Sequence, residues 1–202
     1  EKTRPDNRVS VNAYNAYNEV IQIALNRYKE HGNCYFKNLG QKPVLFIMAE
    51  GTKQANQIAD VIQGLAGFNK KDEVLVIHTK NNGDLTTNQK ELELLREQAR
   101  LIDDPKSRVR VVVSVLMLRE GWDVKNVSII LGLRPFTSKA NILPEQSIGR
   151  GLRLMKDIGP DYTQILEIIG TDKFEEFVRQ LEVEGVGVGI NRKDPSHGVF
   201  VT

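Results

Sequence analysis

Two arginines and two glycines share a short stretch with helical character, residues 145–154 (EQSIGRGLRL). A glycine inside a helix costs about 1 kcal/mol relative to alanine, so this pair indicates that a ligand or another surface approaches the backbone closely. With helical spacing, Gln146, Arg150 and Arg153 fall on one face. Guanidinium groups are always charged and planar, and they suit phosphate oxygens. The stretch therefore predicts phosphate binding, and the alternative is a solvated basic helix face.

A second polar group follows an apolar run, in residues 114–124 (SVLMLREGWDV). It offers the hydroxyl of Ser114, the flexible backbone of Gly121 and the carboxylate of Asp123. Open α/β sheets bind ligands beyond the carboxyl ends of their strands, where a carboxylate can accept a hydrogen bond from a ribose hydroxyl. A hydroxyl and free amides can hold a phosphate. A capped turn is the alternative interpretation.

Four short runs rich in valine and isoleucine predict strands buried on both faces of a parallel sheet. They are residues 43–49, 74–79, 109–115 and 127–133. Helical patterns separate them, which predicts right-handed βαβ units and an open, mainly parallel α/β sheet with helices on both faces.

The clearest helical pattern is residues 52–66, where Thr52 is predicted as the N-cap of an amphipathic helix. A second helix, begun by a capping box at Thr86 and Gln89, is predicted to end near Pro105, with Asp103 and Asp104 as a solvated cap. Before the first strand, residues 9–31 predict a leading helix that stops at His31 and Gly32 and packs on the domain from outside.

Composition excludes several classes of protein. With 202 residues and 40% hydrophobic content the chain is expected to fold as one sizeable domain, and its net charge of +2 does not by itself indicate a polyanion-binding protein. Cys34 is the single cysteine, which rules out an intrachain disulfide and a cysteine-rich zinc site. The sequence contains no apolar run near the ~18 residues of a membrane span. We expect a cytoplasmic piece of a longer chain, with no membrane partner.

Taken in order, the two polar stretches resemble motifs V and VI of the superfamily-two helicases and translocases. Motif VI reads Q-x-x-G-R-x-x-R and is matched by Gln146, Gly149, Arg150 and Arg153. The wording LREGWDVKNV, LGLRPF and EQSIGRGLR is most similar to the Res (helicase and nuclease) subunit of type III restriction enzymes. The resemblance is strong over residues 40–155.

That resemblance implies the second RecA-like domain of a two-domain ATP-driven motor. Residues 1–38 would be a leading helix or linker from an N-terminal domain, 39–183 the helicase C-terminal domain, and 184–202 a Gly-rich extension or linker. Arg150 and Arg153 would form the arginine-finger pair. The remaining implied site residues are Gln146, which would order the γ-phosphate site; Gly121, Asp123 and Gly149 on the nucleotide; and Thr52, His78, Thr79 and Ser114 on nucleic acid.

The sequence contains no G-x-x-x-x-G-K-[ST] loop, and Asp72 and Glu73 precede a strand where a magnesium-holding acid should follow one. ATP and Mg²⁺ would therefore be bound mainly by an N-terminal RecA-like domain of the same protein. Double-stranded DNA is the expected partner, together with a methyltransferase or specificity subunit if the parent is a restriction enzyme. Two alternatives stay open. One is a RecA-like module that only binds nucleic acid or protein, and the other is a Rossmann-type nucleotide-binding enzyme.

Overall fold

The computed structural model of the protein describes residues 12–65, 67–68, 71–77, 97, 100–104, 106–115, 124–133, 155, 164–171, 174, 188–190 and 199–201. Its helices are α1 (Ala13–Ala16), α2 (Asn18–Leu39) and α3 (Thr52–Gly64), with a short 3-10 turn at Lys71–Glu73. Its strands are β1 (Val44–Met48), β2 (Val74–Ile77), β3 (Val111–Ser114), β4 (Val127–Gly132), β5 (Leu166–Gly170), β6 (Val188–Ile190) and β7 (Val199–Val201).

The strands form one open sheet in the order β2-β3-β1-β4-β5-β7-β6. The first five strands in that order are parallel, and the last two are antiparallel to their neighbours. The predicted fold class is confirmed: this is a RecA-like α/β fold with a mainly parallel sheet and flanking helices. In the described residues, no helix is long and apolar enough to cross a membrane.

All four predicted strands are present, each within the bounds that the apolar runs gave. Three further strands were not predicted. β5 contains a glutamate that interrupts its apolar pattern, and β6 and β7 lie inside the segment 184–202, which was predicted to be a loop or linker. Antiparallel pairing of β7 with β5 joins that segment to the sheet. The domain boundaries at 38 and 183 stay predictions.

Helices α2 and α3 cover the same face of the sheet. Side chains alternate between faces along a strand, and the residues that share one core with these helices are the alternate ones of β1, β3 and β4. From the helices, this core takes Ile21, Ala24, Leu25, Tyr28, Ala55, Ile58, Ala59 and Ile62. On the opposite face, the ring of Phe174 lies against Gly132 and Gly170.

The predicted stop of the leading helix at His31 and Gly32 is wrong. Helix α2 continues to Leu39 and ends at Gly40, whose φ of 65° is the left-handed conformation that glycine adopts without strain. The extra turns are anchored by Tyr35, which is buried and whose hydroxyl accepts a hydrogen bond from the Ile165 N–H at 3.0 Å. This tertiary packing outweighs the low helix propensity of Gly32.

One further predicted cap is wrong, and the predicted cap of Asp103 and Asp104 is correct only for Asp104, which is exposed and accepts a hydrogen bond from the Lys106 N–H at 2.7 Å. The N-cap of α3 is Gly51, with extended backbone and no side-chain cap, so Thr52 is the first helical residue. Asp103 is not a solvated cap, because its carboxylate accepts hydrogen bonds from the backbone N–H of Lys125 at 2.9 Å and of Asn126 at 3.3 Å. It thereby fixes the entry to β4.

A buried carboxylate ties α2 to β5. Glu167 has a side chain only 3% exposed; Arg27 Nε donates to its two oxygens at 2.8 and 2.9 Å, and His31 Nε2 lies 3.1 Å from Oε2. Burial alone would raise the pKa of Glu167, but the hydrogen bonds and charges of His31 and Arg27 outweigh it, so the pKa lies below its usual value. The carboxylate is therefore held ionised in the interior.

We expect Glu167→Gln to destabilise the fold by about 1–3 kcal/mol at pH 7, because Arg27 loses a charged hydrogen-bond partner in the interior. A carboxylate with a lowered pKa in the folded state stabilises the fold above the ordinary glutamate pKa of about 4.3 and loses that contribution as pH falls through the folded-state pKa. Urea unfolding across this pH range should show that the difference in free energy of unfolding between parent and variant becomes smaller in acid.

The matched control is Glu30→Gln, which removes the exposed partner of the same arginine. Its effect should stay below about 1 kcal/mol at every pH. If Glu167→Gln and Glu30→Gln unfold with equal free energies at pH 7, the buried carboxylate does not hold α2 on the sheet.

Candidate functional site

The carboxyl edge of the parallel sheet is where ligand binding is expected in an open α/β fold. After β1 the chain runs toward β2 on one side, whereas after β4 it runs toward β5 on the other side. Neighbouring parallel strands whose connections leave in opposite directions form the switch point at which open α/β sheets bind ligands. The crevice is thus expected beyond the ends of β1 and β4.

The loop after β1 brings the start of α3 to this crevice. Ala49 N–H donates to the Ser114 carbonyl at 2.8 Å, which continues the ladder between β1 and β3 by one residue. Gln54 reaches back along the helix: its side-chain carbonyl accepts from the Glu50 N–H at 3.1 Å, and its amide lies 3.2 Å from the Glu50 carboxylate. Thr52, on the first turn, is exposed to solvent.

Ser114 is the other predicted site residue within the described residues, and it ends β3 in register with Met48 of β1 and Ile77 of β2. The structure thus brings Thr52 and Ser114 to the same edge, but their surroundings differ. Ser114 is only 2% exposed. A contact between its hydroxyl and nucleic acid would require the groups that cover it to move.

The other predicted site residues lie outside the described residues: His78, Thr79, Gly121, Asp123, Gln146, Gly149, Arg150 and Arg153. The stretch 145–154 belongs to the connection between β4 and β5. Just beyond it, Met155 is buried, and its N–H donates to the Gln164 side-chain carbonyl at 2.7 Å. This contact holds Met155 beside the residues that lead into β5.

Asp72 and Glu73, whose place in the sequence does not suit a magnesium-holding acid, lie at the amino edge. Asp72 is 3.2 Å from Arg108, and Glu73 is 3.8 Å from Arg110, in each case next to the start of a strand. Across the part of the chain that the structure describes, no group of three His, Cys, Asp or Glu side chains could hold a metal ion.

Sequence reasoning missed the residues that shape the carboxyl edge next to the crevice. Gly132 ends β4 and Gly170 ends β5, and the fully buried ring of Phe174 packs across both. A Cβ on Gly132 would lie 2.6 Å from that ring, and one on Gly170 would lie 2.4 Å from it. No local sequence pattern predicts this contact, because Gly132 is distant from Phe174 in the sequence, although Gly170 is near it.

We expect Gly132→Ala to destabilise the fold by about 1–3 kcal/mol, since a buried ring would have to shift to admit the methyl group. Gly64→Ala is the control: nothing lies within 4 Å of its Cβ position, so the variant should be unchanged or up to about 1 kcal/mol more stable. Chemical unfolding of both variants measures the difference. A Gly132→Ala protein as stable as the parent would mean that the ring does not lock the ends of β4 and β5.

Comparison with known proteins gives matches at the level of three-dimensional structure. No protein-family model matches the sequence, and no curated protein matches it.

Solved structures that are similar to this chain include two helicase domains. One is a variant of the C-terminal domain of S. cerevisiae Dbp5 bound to a Gle1 variant and IP6, with TM-score 0.44 and 16% identity over 80% of this chain and 79% of that one. The other is Mss116p DEAD-box helicase domain 2 bound to an RNA duplex, with TM-score 0.46 and 17% identity over 82% of this chain and 55% of that one. The chain resembles these C-terminal RecA-like helicase domains at low identity, and the likeness concerns the fold alone.

Proposed function

We propose that this chain is the second RecA-like domain of an ATP-dependent DNA translocase or helicase, from a restriction-type endonuclease subunit. The observation that carries the proposal is the position of the two motif-like stretches in the order of strands. The stretch with Gly121 and Asp123 begins where β3 ends, and the stretch with Arg150 and Arg153 lies in the connection that leaves β4. Both connections start at the edge where such sheets bind ligands.

In this proposal the chain supplies half of an ATP site. Arg150 and Arg153 would stabilise the charge that develops on the transferred γ-phosphoryl group, and Asp123 would accept a hydrogen bond from the ribose. ATP and Mg²⁺ would be held mainly by an N-terminal RecA-like domain. Thr52 at the start of α3 is exposed, which suits its proposed contact with a nucleic-acid backbone.

The second candidate is a RecA-like module that binds nucleic acid or protein without hydrolysing ATP. The intact pair of arginines favours the motor, because a pure binding module has no use for a γ-phosphate sensor. The specific restriction role rests on the sequence strings at residues 118–127, 131–136 and 145–153 and is the finest part of the proposal.

The isolated 202-residue chain is expected to show no ATPase activity above background, because it contains no phosphate-binding loop with a lysine and no Mg²⁺ acid in that context. Its binding to duplex DNA should be weak, independent of base sequence, and lost as salt is raised. If the chain released phosphate from ATP and kept this activity through repeated purification, the proposal that it supplies only half of an ATP site would be contradicted. Tight, site-selective DNA binding would favour the binding module.

Arg153→Ala in the full-length parent should lower DNA-stimulated ATP turnover on the order of 10³-fold, the scale of a lost arginine finger. The stability of the 202-residue chain, measured by thermal melting, should change by no more than about 0.5 kcal/mol, as for a surface site. Arg108→Ala, which removes an exposed arginine at the amino edge, is the matched control and should leave turnover intact. Parental turnover by the Arg153 variant, or an early melt, would remove the main support for the motor.

A further inference from the structure

A cleft of about 500 Å³ opens at the amino edge of the sheet, between the C-terminal half of α2 and the residues that lead into β1 and β3. This is the opposite edge from the proposed nucleotide crevice. Three cationic residues line the cleft: Lys29 from α2, Lys42 from the loop before β1 and Arg110 from just before β3. None of the described residues that line it is acidic. A neighbouring cleft of about 450 Å³ is mixed, since Asp72 and Asp104 line it together with basic residues.

Gly32, which the sequence predicts as a helix stop, lies in the floor of this basic cleft. Gly32 lies inside α2, where glycine costs about 1 kcal/mol relative to alanine. Nothing lies within 4 Å of the position a Cβ would take, so packing does not require a glycine there. The missing side chain instead leaves room for something that enters the cleft.

Two of the three cations, Arg110 and Lys42, are held in place by contacts within the chain. The Arg110 guanidinium lies 4.6 Å from the centroid of the Phe68 ring and 5.6 Å from that of Tyr28, and its Nε donates to the Tyr28 hydroxyl at 3.3 Å. Lys42 donates to the Ser107 carbonyl. Burial and the nearby charge of Arg110 lower the pKa of Lys42, against the opposing charge of Asp104. Positive charges held together in this way favour an anion.

One wall of the cleft is aromatic and open. Phe36 is 61% exposed, on the same side of α2 as Lys29, Gly32 and Asn33. A flat apolar ring beside fixed cations suits a ligand that combines an anionic group with a planar ring. Glu73 partly balances Arg110 from 3.8 Å away, but it does not line the cleft.

We propose that this amino-edge cleft binds a phosphate ester attached to a planar base, with the phosphate on Lys29, Lys42 and Arg110 and the base against Phe36. The ligand is either a free nucleotide or a nucleotide unit within a single strand, since both present the same chemistry. This site is separate from the ATP site of the proposed function, and its test does not depend on ATP hydrolysis.

The test is a titration of the ¹⁵N-labelled 202-residue chain, followed by the backbone amide signals of Gly32, Asn33, Phe36 and Lys42. The probes are adenosine 5′-monophosphate, inorganic phosphate and a short single-stranded oligothymidylate. Adenosine monophosphate is expected to shift these signals with saturation and more strongly than inorganic phosphate, and added salt should weaken it. A response to the oligonucleotide alone would identify the nucleic-acid strand as the source of the phosphate.

Four variants separate the parts of the site. Gly32→Leu fills the floor without changing charge and favours the helix, so it should abolish binding while the protein stays folded. Lys29→Met and Lys42→Met should each weaken binding about threefold to tenfold, the scale of one charge-assisted contact. Phe36→Ala should weaken the binding of adenosine monophosphate but leave the binding of inorganic phosphate unchanged.

Lys53→Met is the matched control, because this exposed lysine lies on the first turn of α3 at the opposite edge. It should bind as the parent does. The proposal is overturned if neither nucleotide nor oligonucleotide shifts the cleft signals, or if Gly32→Leu and Lys29→Met bind as the parent does. It is equally overturned if Lys53→Met removes binding, since the phosphate would then lie at the start of α3.

Discussion

The fold depends on the parallel pairing of β1 with both of its neighbours, β3 and β4. Because the five parallel strands all run the same way, every carboxyl end lies at one edge and every connection must cross a face of the sheet. The chain moves outward from β1 to β2, returns to β3, and crosses β1 to reach β4 and β5. This reversal is the switch point at which a ligand crevice is expected, and it gives the stretches after β3 and β4 a common starting edge.

A second requirement follows from the same sheet. The face shared by α2 and α3 must be closed, and α2 does this by running the full depth of the sheet to the amino edge. There it meets β5, where Glu167 stands among apolar side chains. Removing a carboxylate from water is costly unless it is paired and hydrogen-bonded, and Arg27 and His31 supply that compensation. A charged strand residue thereby becomes the polar contact that fixes α2.

The sequence was sufficient where periodicity alone decides structure. Four strands and α3 follow directly from runs of Val and Ile and from the spacing of Ala55, Ile58 and Ile62. It failed where a distant partner overrides a local signal. Glu167 concealed β5 because its partners lie about 140 residues earlier, and Gly32 suggested a helix stop because the burial of Tyr35 against β5 is not visible locally. The carboxyl-edge position of Thr52 and Ser114 follows from the order of elements, but the burial of Ser114 does not.

The two proposals concern phosphate binding at opposite edges of the sheet. A five-residue strand such as β1 spans about 17 Å, so one ligand at the amino edge cannot touch groups at the carboxyl edge. At the amino edge, Arg110 is fixed by Phe68, Tyr28 and Glu73, all within this chain. Its contribution is preorganised, so little ordering cost remains when a ligand binds. In the proposed motor, Arg150 and Arg153 would act on a phosphate that another domain holds. Binding there would depend on how the domains approach each other, whereas the proposed binding at the amino edge would depend on this fold alone.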